Sequence, residues 1–196
     1  GNGKYDGLES LPSTDKVIYA ERYGYPDVVI GSLHRDEEAA ASAALARSGL
    51  RAILAPRYTS QVPRLVSRLR RYGLSVSRES LREQPESVHI LDTYGQLARV
   101  YASAGRTIIG GTFGRRGGQN LFEAALHNNI VIHGPSTINV RLEVNAFKDH
   151  GAYLAMSWDD AFSLVKADLP ESNLRQAAMT LKGATQTNLR LLRPFM

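Results

Sequence analysis

The chain has 196 residues, of which 43% are hydrophobic and 22% charged, with a formal net charge of +5 carried mainly by arginine. That length fills one α/β domain with a full core; the absence of cysteine excludes disulfides and thiolate metal sites, and no apolar run approaches the roughly 20 residues of a membrane-spanning helix. The charge favours an anionic partner, with a solvated basic surface as the plain alternative.

Residues 1–24 show little periodicity and read as a connection from another domain, so that 25–196 form the folded unit. The apolar run 27–31 predicts a strand and the alanine-rich 36–48 a helix. A second strand at 51–55 stops at Pro56, and 60–72 is helical with Pro63 in its first turn. Short strands follow at 74–77 and 88–91, then a helix at 95–103 and a strand at 106–109. A glycine-rich loop leads into a helix at 120–127, a strand at 130–133, a helix at 139–148 and a strand at 152–155. Helices at 159–167 and 171–192 complete the pattern. Alternating strands and helices, with strands that are short and continuously apolar, predict a parallel sheet covered by helices on both faces.

In open α/β sheets ligands bind beyond the carboxyl ends of the strands, so the loops there carry the candidate chemistry. Residues 109–123 hold five glycines between Gly110 and Gly118 and run from a strand into a helix, with Arg115 and Arg116 alongside. Glycine permits close backbone approach, and a helix start offers free N–H groups to an anion. The spacing fits neither a Walker loop nor a dinucleotide fingerprint. The plain alternative is a surface loop whose Asn120 and Glu123 cap the helix. In Leu91-Asp92-Thr93-Tyr94-Gly95-Gln96-Leu97, Thr93 and Gln96 fit a capping box, and Asp92 at a strand end is placed to accept a ligand hydroxyl or backbone donors. Gly31-Ser32-Leu33-His34 precedes three acidic residues at a helix start. Arg64, Arg68 and Arg71 share a helical face, for which a solvated surface is the plain reading and a polyanion or membrane surface the sharper one. No cluster has metal-ligand spacing and no serine-nucleophile motif is present.

Taken in order, these loops resemble the C-terminal half of the bacterial 3-deoxy-D-manno-octulosonic acid (Kdo) transferases. The family's Gly/Ala-Ser-Thr-His stretch followed by acidic residues is matched by Gly31 to His34 with Glu37 and Glu38. Its Pro-Arg-His corresponds to Pro56-Arg57-Tyr58, and its Gly-Asp-Thr-x-Gly-Glu-Leu to Leu91 through Leu97. Its Gly-Gly-Ser, then Gly-Gly-His-Asn-x-x-Glu, is matched by Gly110-Gly111-Thr112, then Gly117-Gly118-Gln119-Asn120 and Glu123, and its Gly-Pro-x-x-x-Asn by Gly134-Pro135 and Asn139. The opening Gly1-Asn2-Gly3-Lys4-Tyr5-Asp6 is similar to the family's Gly-Asn-x-Lys-Phe-Asp between its two domains. Three positions depart: Tyr58 and Gln119 stand where the family has histidine, and Gln96 where it has an acid. Each keeps a hydrogen-bonding group and loses a titratable one.

The resemblance implies a Rossmann-like domain forming the C-terminal half of a GT-B glycosyltransferase that binds CMP-Kdo without a cofactor or metal. It implies inverting transfer of Kdo to lipid A, with the acceptor site and the catalytic base in an N-terminal domain outside this chain. It also implies a full-length protein peripherally bound to the cytoplasmic face of the inner membrane, and a soluble fragment here that is inactive by itself. The donor-contact residues it implies are Gly117, Gly118, Gln119 and Asn120 for phosphate and carboxylate, Arg57 for leaving-group charge, Glu123 for ribose hydroxyls, and Ser32, His34, Asp92, Thr93 and Asn139 lining the cleft. Competing readings are a transferase for a UDP- or GDP-sugar, a non-catalytic paralogue, and a basic nucleic-acid-binding module. Against the last, aromatics are only 8% and no stacking-rich strand is visible.

Overall fold

The computed structural model describes residues 13–182. Within them seven strands form one sheet: β1 (Val28–Leu33), β2 (Ala52–Pro56), β3 (Val76–Arg78), β4 (Val88–Ile90), β5 (Arg106–Ile109), β6 (Ile130–His133) and β7 (Ala152–Leu154). All neighbours pair in parallel, in the order β3-β4-β2-β1-β5-β6-β7. The fold is therefore the predicted α/β class, a Rossmann-like parallel sheet.

Successive residues of each strand feed two different cores, as the period of two requires. Val28 and Ile30 face one layer together with Leu54, Ile90, Ile108 and Ile132. That layer is closed by α2 (Glu38–Ser48), α3 (Val62–Arg71) and α7 (Trp158–Lys166) through Leu45, Leu65, Leu69 and Phe162. Val29, Ile53, Ile109 and Val131 face the other layer, built on Tyr101, Phe122, Phe147 and Leu174. Its helices are α1 (Ser13–Arg22), α4 (Leu97–Val100), α5 (Phe122–Leu126), α6 (Arg141–Phe147) and α8 (Leu174–Thr180). Each fully buried aliphatic side chain of this kind contributes roughly 1.5–3 kcal/mol.

Local chemistry sets the helix ends. In α3, Pro63 occupies the first turn and Val62, Leu65 and Leu69 fall on the buried face. The α2 helix ends at Gly49 in the left-handed region, and the Ser157 side chain accepts the Asp160 amide at 3.1 Å to start α7. Two expectations change. The segment expected to show little periodicity contains α1, whose Tyr19 packs on the second core together with Tyr23 just beyond its end, while Lys16 donates to the His127 carbonyl. The helix expected at 95–103 is one short turn, α4, followed by a 3-10 turn at Tyr101–Ser103. Of the helix expected at 171–192, residues Leu174–Thr180 are helical and 183–192 lie outside the described residues, as do 1–12 of the expected connection.

Strand order runs outward from β1 toward β2, β4 and β3 on one side, and from β5 toward β6 and β7 on the other. The reversal lies between β1 and β5, and their carboxyl ends open the crevice where this architecture binds ligands.

Candidate functional site

The crevice is built on close backbone approach. Ser32 takes a positive φ of 56° as β1 loses register between Ile30 and Leu33, and the Gly110 amide donates to the Gly31 carbonyl at 2.7 Å. A Cβ on Gly110 would lie 2.5 Å from the Ser32 carbonyl oxygen, so only glycine fits there.

Glu37 is the hub of the site. It is 3% exposed, and its carboxylate accepts the His34 amide at 3.0 Å, the Gly111 amide at 2.7 Å and the Phe113 amide at 2.9 Å. One side chain thus ties the β1–α2 loop to the glycine-rich loop across the switch point. Beside it Glu38, fully buried, accepts from Gln61 at 2.8 Å and pairs with Arg64 at 3.6 Å. Reading these acids as helix-dipole partners missed their inward direction.

The rest of the glycine-rich loop is held from the far side. The Gly117 amide donates to Ser136 Oγ at 3.1 Å and the Gly118 amide to the Gly111 carbonyl at 2.9 Å. The Asn139 amide donates to the Gly117 carbonyl at 2.8 Å, and Asn139 Nδ2 to the Arg116 carbonyl at 2.7 Å. Thr112 Oγ1 accepts from the Gly134 amide at 2.8 Å and donates to the Ile109 carbonyl at 2.5 Å. Gly117 and Gly118 were expected to offer donors to a ligand and Asn139 to line the cleft; in this structure their donors satisfy the loop itself. Gly117 (φ 79°) and Gly118 (φ 90°) supply left-handed backbone for the turn.

Asp92 is likewise committed to the fold. Its oxygens accept from the Ser80 amide at 2.7 Å, Ser80 Oγ at 2.6 Å and Arg78 Nε at 2.9 Å, with Arg78 Nη2 at 2.8 Å. Burial pushes its carboxyl up, but the Ser80 hydrogen bonds and the Arg78 guanidinium outweigh burial and hold it below the ordinary value of 3.8. It anchors β4 to the turn after β3. The capping box expected from Thr93 and Gln96 is not formed: α4 starts without a side-chain cap, and Thr93 Oγ1 is buried with no partner among the described residues. Asn120, one residue ahead of the N-cap Leu121, steadies the start of α5, accepting the Phe122 amide at 3.0 Å and donating to Glu123 at 2.9 Å.

What faces open space is a smaller set. A cavity of about 210 Å³ at the carboxyl ends of β1, β2 and β4 is lined by Ser32, Arg57, Thr59, Thr93, Tyr94 and Gly95 among others. Arg57 is exposed, and its amide is fixed on the Leu33 carbonyl at 2.8 Å. Thr59 and Tyr94 meet at 3.2 Å across the mouth; neither was singled out in the sequence. His34 is 6% exposed, stands edge-on to Tyr58 with centroids 6.2 Å apart, and its Nε2 has no partner among the described residues. Burial holds its pKa below the ordinary range, so the ring is a neutral group at the crevice wall. Half-buried Gln119 and Glu123 follow the glycine-rich loop. A larger cavity, about 490 Å³, lies beyond Thr93 among Arg22, Glu79, Arg82 and Gln84. Among the described residues no group of acids and histidines is placed to hold a metal ion.

These features define a Rossmann-like domain whose crevice opens at the β1/β5 switch point. The fold overlays a crystal structure of the C-terminal CMP-Kdo binding domain of WaaA from Acinetobacter baumannii with a TM-score of 0.74, at 22% identity, covering 87% of this chain and 98% of that one. In sequence the chain is similar to curated 3-deoxy-D-manno-octulosonic acid transferases. The Bordetella pertussis protein is 37% identical over 93 residues (45% of this chain, 22% of that protein). The Rickettsia typhi protein is 25% identical over 144 residues (71% and 30%). The Rickettsia felis protein is 31% identical over 86 (42% and 18%). The chain thus resembles the Kdo transferases in both sequence and fold, and spans less than a third of the length of these relatives. The sequence matches no protein-family model.

Proposed function

We propose that this chain is the donor-binding half of an inverting glycosyltransferase that transfers Kdo from CMP-Kdo to lipid A in lipopolysaccharide synthesis. The observation that carries the reading is the cavity beside the β1/β5 switch point, where the exposed Arg57 guanidinium stands with Ser32 and Thr93. The naming of the relatives supplies the transferred sugar and the CMP-Kdo donor, and the family resemblance implies lipid A as the acceptor. In this reading residues 1–24 connect to an N-terminal domain that holds lipid A and the base, and the full-length protein works at the cytoplasmic face of the inner membrane.

The acceptor oxygen attacks the anomeric carbon of Kdo while the bond to the CMP phosphate breaks, and the hydroxyl proton passes to the base of the other domain. Arg57 stabilises the charge that develops on the leaving phosphate, the role of a fixed cation aimed at a developing anion. Gln119 and the neutral His34 offer hydrogen bonds to phosphate or carboxylate, and Glu123 accepts from the ribose hydroxyls. The glycine-rich loop contributes shape, since the amides of Gly117 and Gly118 are already engaged.

Calorimetric titration with CMP, UMP and GMP tests this. Selective CMP binding is the expected result. Preference for UMP or GMP would keep the architecture and replace the donor, a change for which Tyr58, Gln96 and Gln119 leave room. Transfer of Kdo by these 196 residues alone would overturn the division of labour.

A further inference from the structure

The larger cavity, about 490 Å³, has the size of a small-molecule site and takes no part in the donor reading. Three separate pieces of chain wall it. Arg22 and Tyr23 come from the end of α1, Glu79, Arg82 and Gln84 from the β3–β4 connection, and Thr93 with Gln96 from the segment after β4. Apart from Pro85, every lining residue carries a polar or charged side chain.

The charges of this wall balance, two arginines against two glutamates, so it exerts no net pull on a charged ligand. Its hydrogen-bonding capacity is only partly spent. Glu79 is fully committed: Oε1 accepts from Arg22 at 2.6 Å, and Oε2 faces His89 Nε2 at 3.0 Å. Arg22 uses Nη2 in that pair and keeps its other guanidinium N–H groups. Glu83 Oε2 accepts the Arg78 amide at 2.7 Å, which leaves Oε1 as an acceptor. Among the described residues Arg82 forms no ion pair, and it is held in left-handed backbone at φ 55° and ψ 31°, a strain that clusters at ligand clamps. The amides of Gln84 and Gln96 add donors and acceptors alike. At the floor Tyr23 is 3% exposed, and its hydroxyl forms no hydrogen bond of normal geometry among the described residues. Burial, and then the charge of Glu79, push its pKa up to about 12, so it stays an O–H donor. A buried hydroxyl without a partner is uncommon and calls for one.

We infer that this cavity is a second ligand site, separate from the crevice, which takes an uncharged carbohydrate through its hydroxyl groups. A wall with spare donors and spare acceptors and no net charge suits a ligand whose groups both donate and accept, and a sugar hydroxyl does both. Arg82 meets neighbouring hydroxyls with its fork of N–H groups, Glu83 and the two glutamines accept from them, and a sugar oxygen on the floor gives the Tyr23 hydroxyl its acceptor. A nucleobase is a poorer fit, because the one aromatic ring of the lining is already covered: the Arg22 guanidinium lies 5.3 Å from the Tyr23 centroid and the His89 ring 5.5 Å. The inference does not rest on the donor reading, although Thr93 belongs to the walls of both cavities.

Ligand-observed saturation-transfer NMR of the chain tests it, with glucose, galactose, mannose and N-acetylglucosamine as neutral probes and gluconate as the charged comparator. At least one neutral sugar should bind with a Kd on the order of 1 mM, more tightly than gluconate, and keep its signal when CMP is added. Arg82→Gln should weaken that sugar about tenfold or more, the worth of a charged hydrogen bond. Tyr23→Phe keeps the ring and should weaken it about two- to tenfold, the worth of a neutral one, with an unchanged melt because the fold does not use the hydroxyl. Arg70→Gln, an exposed change on α3, should leave binding as it is, and circular dichroism verifies that each variant folds. Absence of binding by all four neutral sugars, tighter binding of gluconate than of any of them, full displacement by CMP, or indifference to both Arg82→Gln and Tyr23→Phe would each overturn the inference. CMP affinity that falls with Arg57→Ala and is untouched by Arg82→Gln keeps the two sites apart, so failure of either reading is seen without the other.

Discussion

Replacing Glu37 with alanine is the sharpest probe of how the crevice is held. The substitution removes the only side chain that accepts the amides of His34, Gly111 and Phe113, at 3.0, 2.7 and 2.9 Å. Each buried N–H left without a partner costs about 1–3 kcal/mol, so the gross loss is about 3–9 kcal/mol. Water entering the vacated space recovers part of it, which puts the expected destabilisation near 4 kcal/mol, a large share of the ~5–15 kcal/mol typical of a domain. Glu37→Gln separates chemistry from volume. Its one carbonyl oxygen, turned toward His34 and Gly111, keeps two bonds and sets an N–H group against Phe113, for a loss near 2 kcal/mol. Urea melts with an unchanged slope give both values. Hydrogen exchange at the Gly111 and Phe113 amides reports the local effect, expected to quicken on the order of a hundredfold or more in the alanine variant. If Glu37→Ala melts within 1 kcal/mol of the parent (about the error of such reasoning) and the Gly111 amide stays protected, the hub account is wrong.

Further outcomes follow from the same geometry. Arg57→Ala should weaken CMP binding by about 10- to 100-fold, the worth of one charged hydrogen bond, and leave the melt unchanged because Arg57 is exposed; undiminished affinity by calorimetry would move the phosphate elsewhere. Gly117→Ala places a Cβ 2.8 Å from Asn139 Nδ2 at a φ of 79° and should cost about 1–3 kcal/mol in a urea melt, whereas parent-like stability would mean that the loop is not pinned. Asp92→Asn should destabilise at neutral pH and also flatten acid sensitivity: the folded carboxyl lies below the ordinary 3.8, so its contribution is present above that pH and lost as pH falls through the folded value. His127 donates Nε2–H to the Ala98 carbonyl at 2.8 Å while its buried Nδ1 has no partner among the described residues, and burial lowers its pKa from 6.5. The unfolded chain therefore takes up the proton first, stability falls as pH drops below about 6.5, and His127→Gln should reduce that slope between pH 7 and 5 (roughly the His range) in melts across pH.

The fold was legible where turn residues bracket a strand. Strands at 106–109 and 130–133 keep the predicted boundaries, because Gly105 and Gly110 bracket one and Asn129 and Gly134 the other. The α1 helix was not legible. Val17 and Ile18 are 56% and 60% exposed, so its apolar residues do not mark its packed face, and that face is made of tyrosines. The site was legible as a set of loops but not as a set of roles. Asp92 meets Arg78 and Ser80 only because β3 and β4 are neighbours at the sheet edge, and strand order is not written in local sequence. Glu37 and Glu38 both look like acids at a helix start, yet they turn to different partners inside.

This division bears on what the family motifs report. Glu37, Asp92, Gly117 and Asn139 match the Kdo transferase pattern and spend their hydrogen bonds building the crevice. Their presence therefore argues for its shape. The groups free to meet a ligand are fewer: Arg57 beside the cavity, His34 and Tyr58 at its wall, and Gln119 after the glycine-rich loop. Two of these, Tyr58 and Gln119, are where the sequence departs from the pattern. A departure in a scaffold residue would first cost stability, whereas a departure in a facing residue first changes which ligand is bound. Comparing CMP with UMP and GMP on the parent chain, and again after Tyr58→His and Gln119→His, thus interrogates donor choice without disturbing the fold. Selectivity for CMP that rises with the two histidines would assign those positions to donor recognition, and selectivity indifferent to both would leave recognition to Arg57 and the crevice backbone.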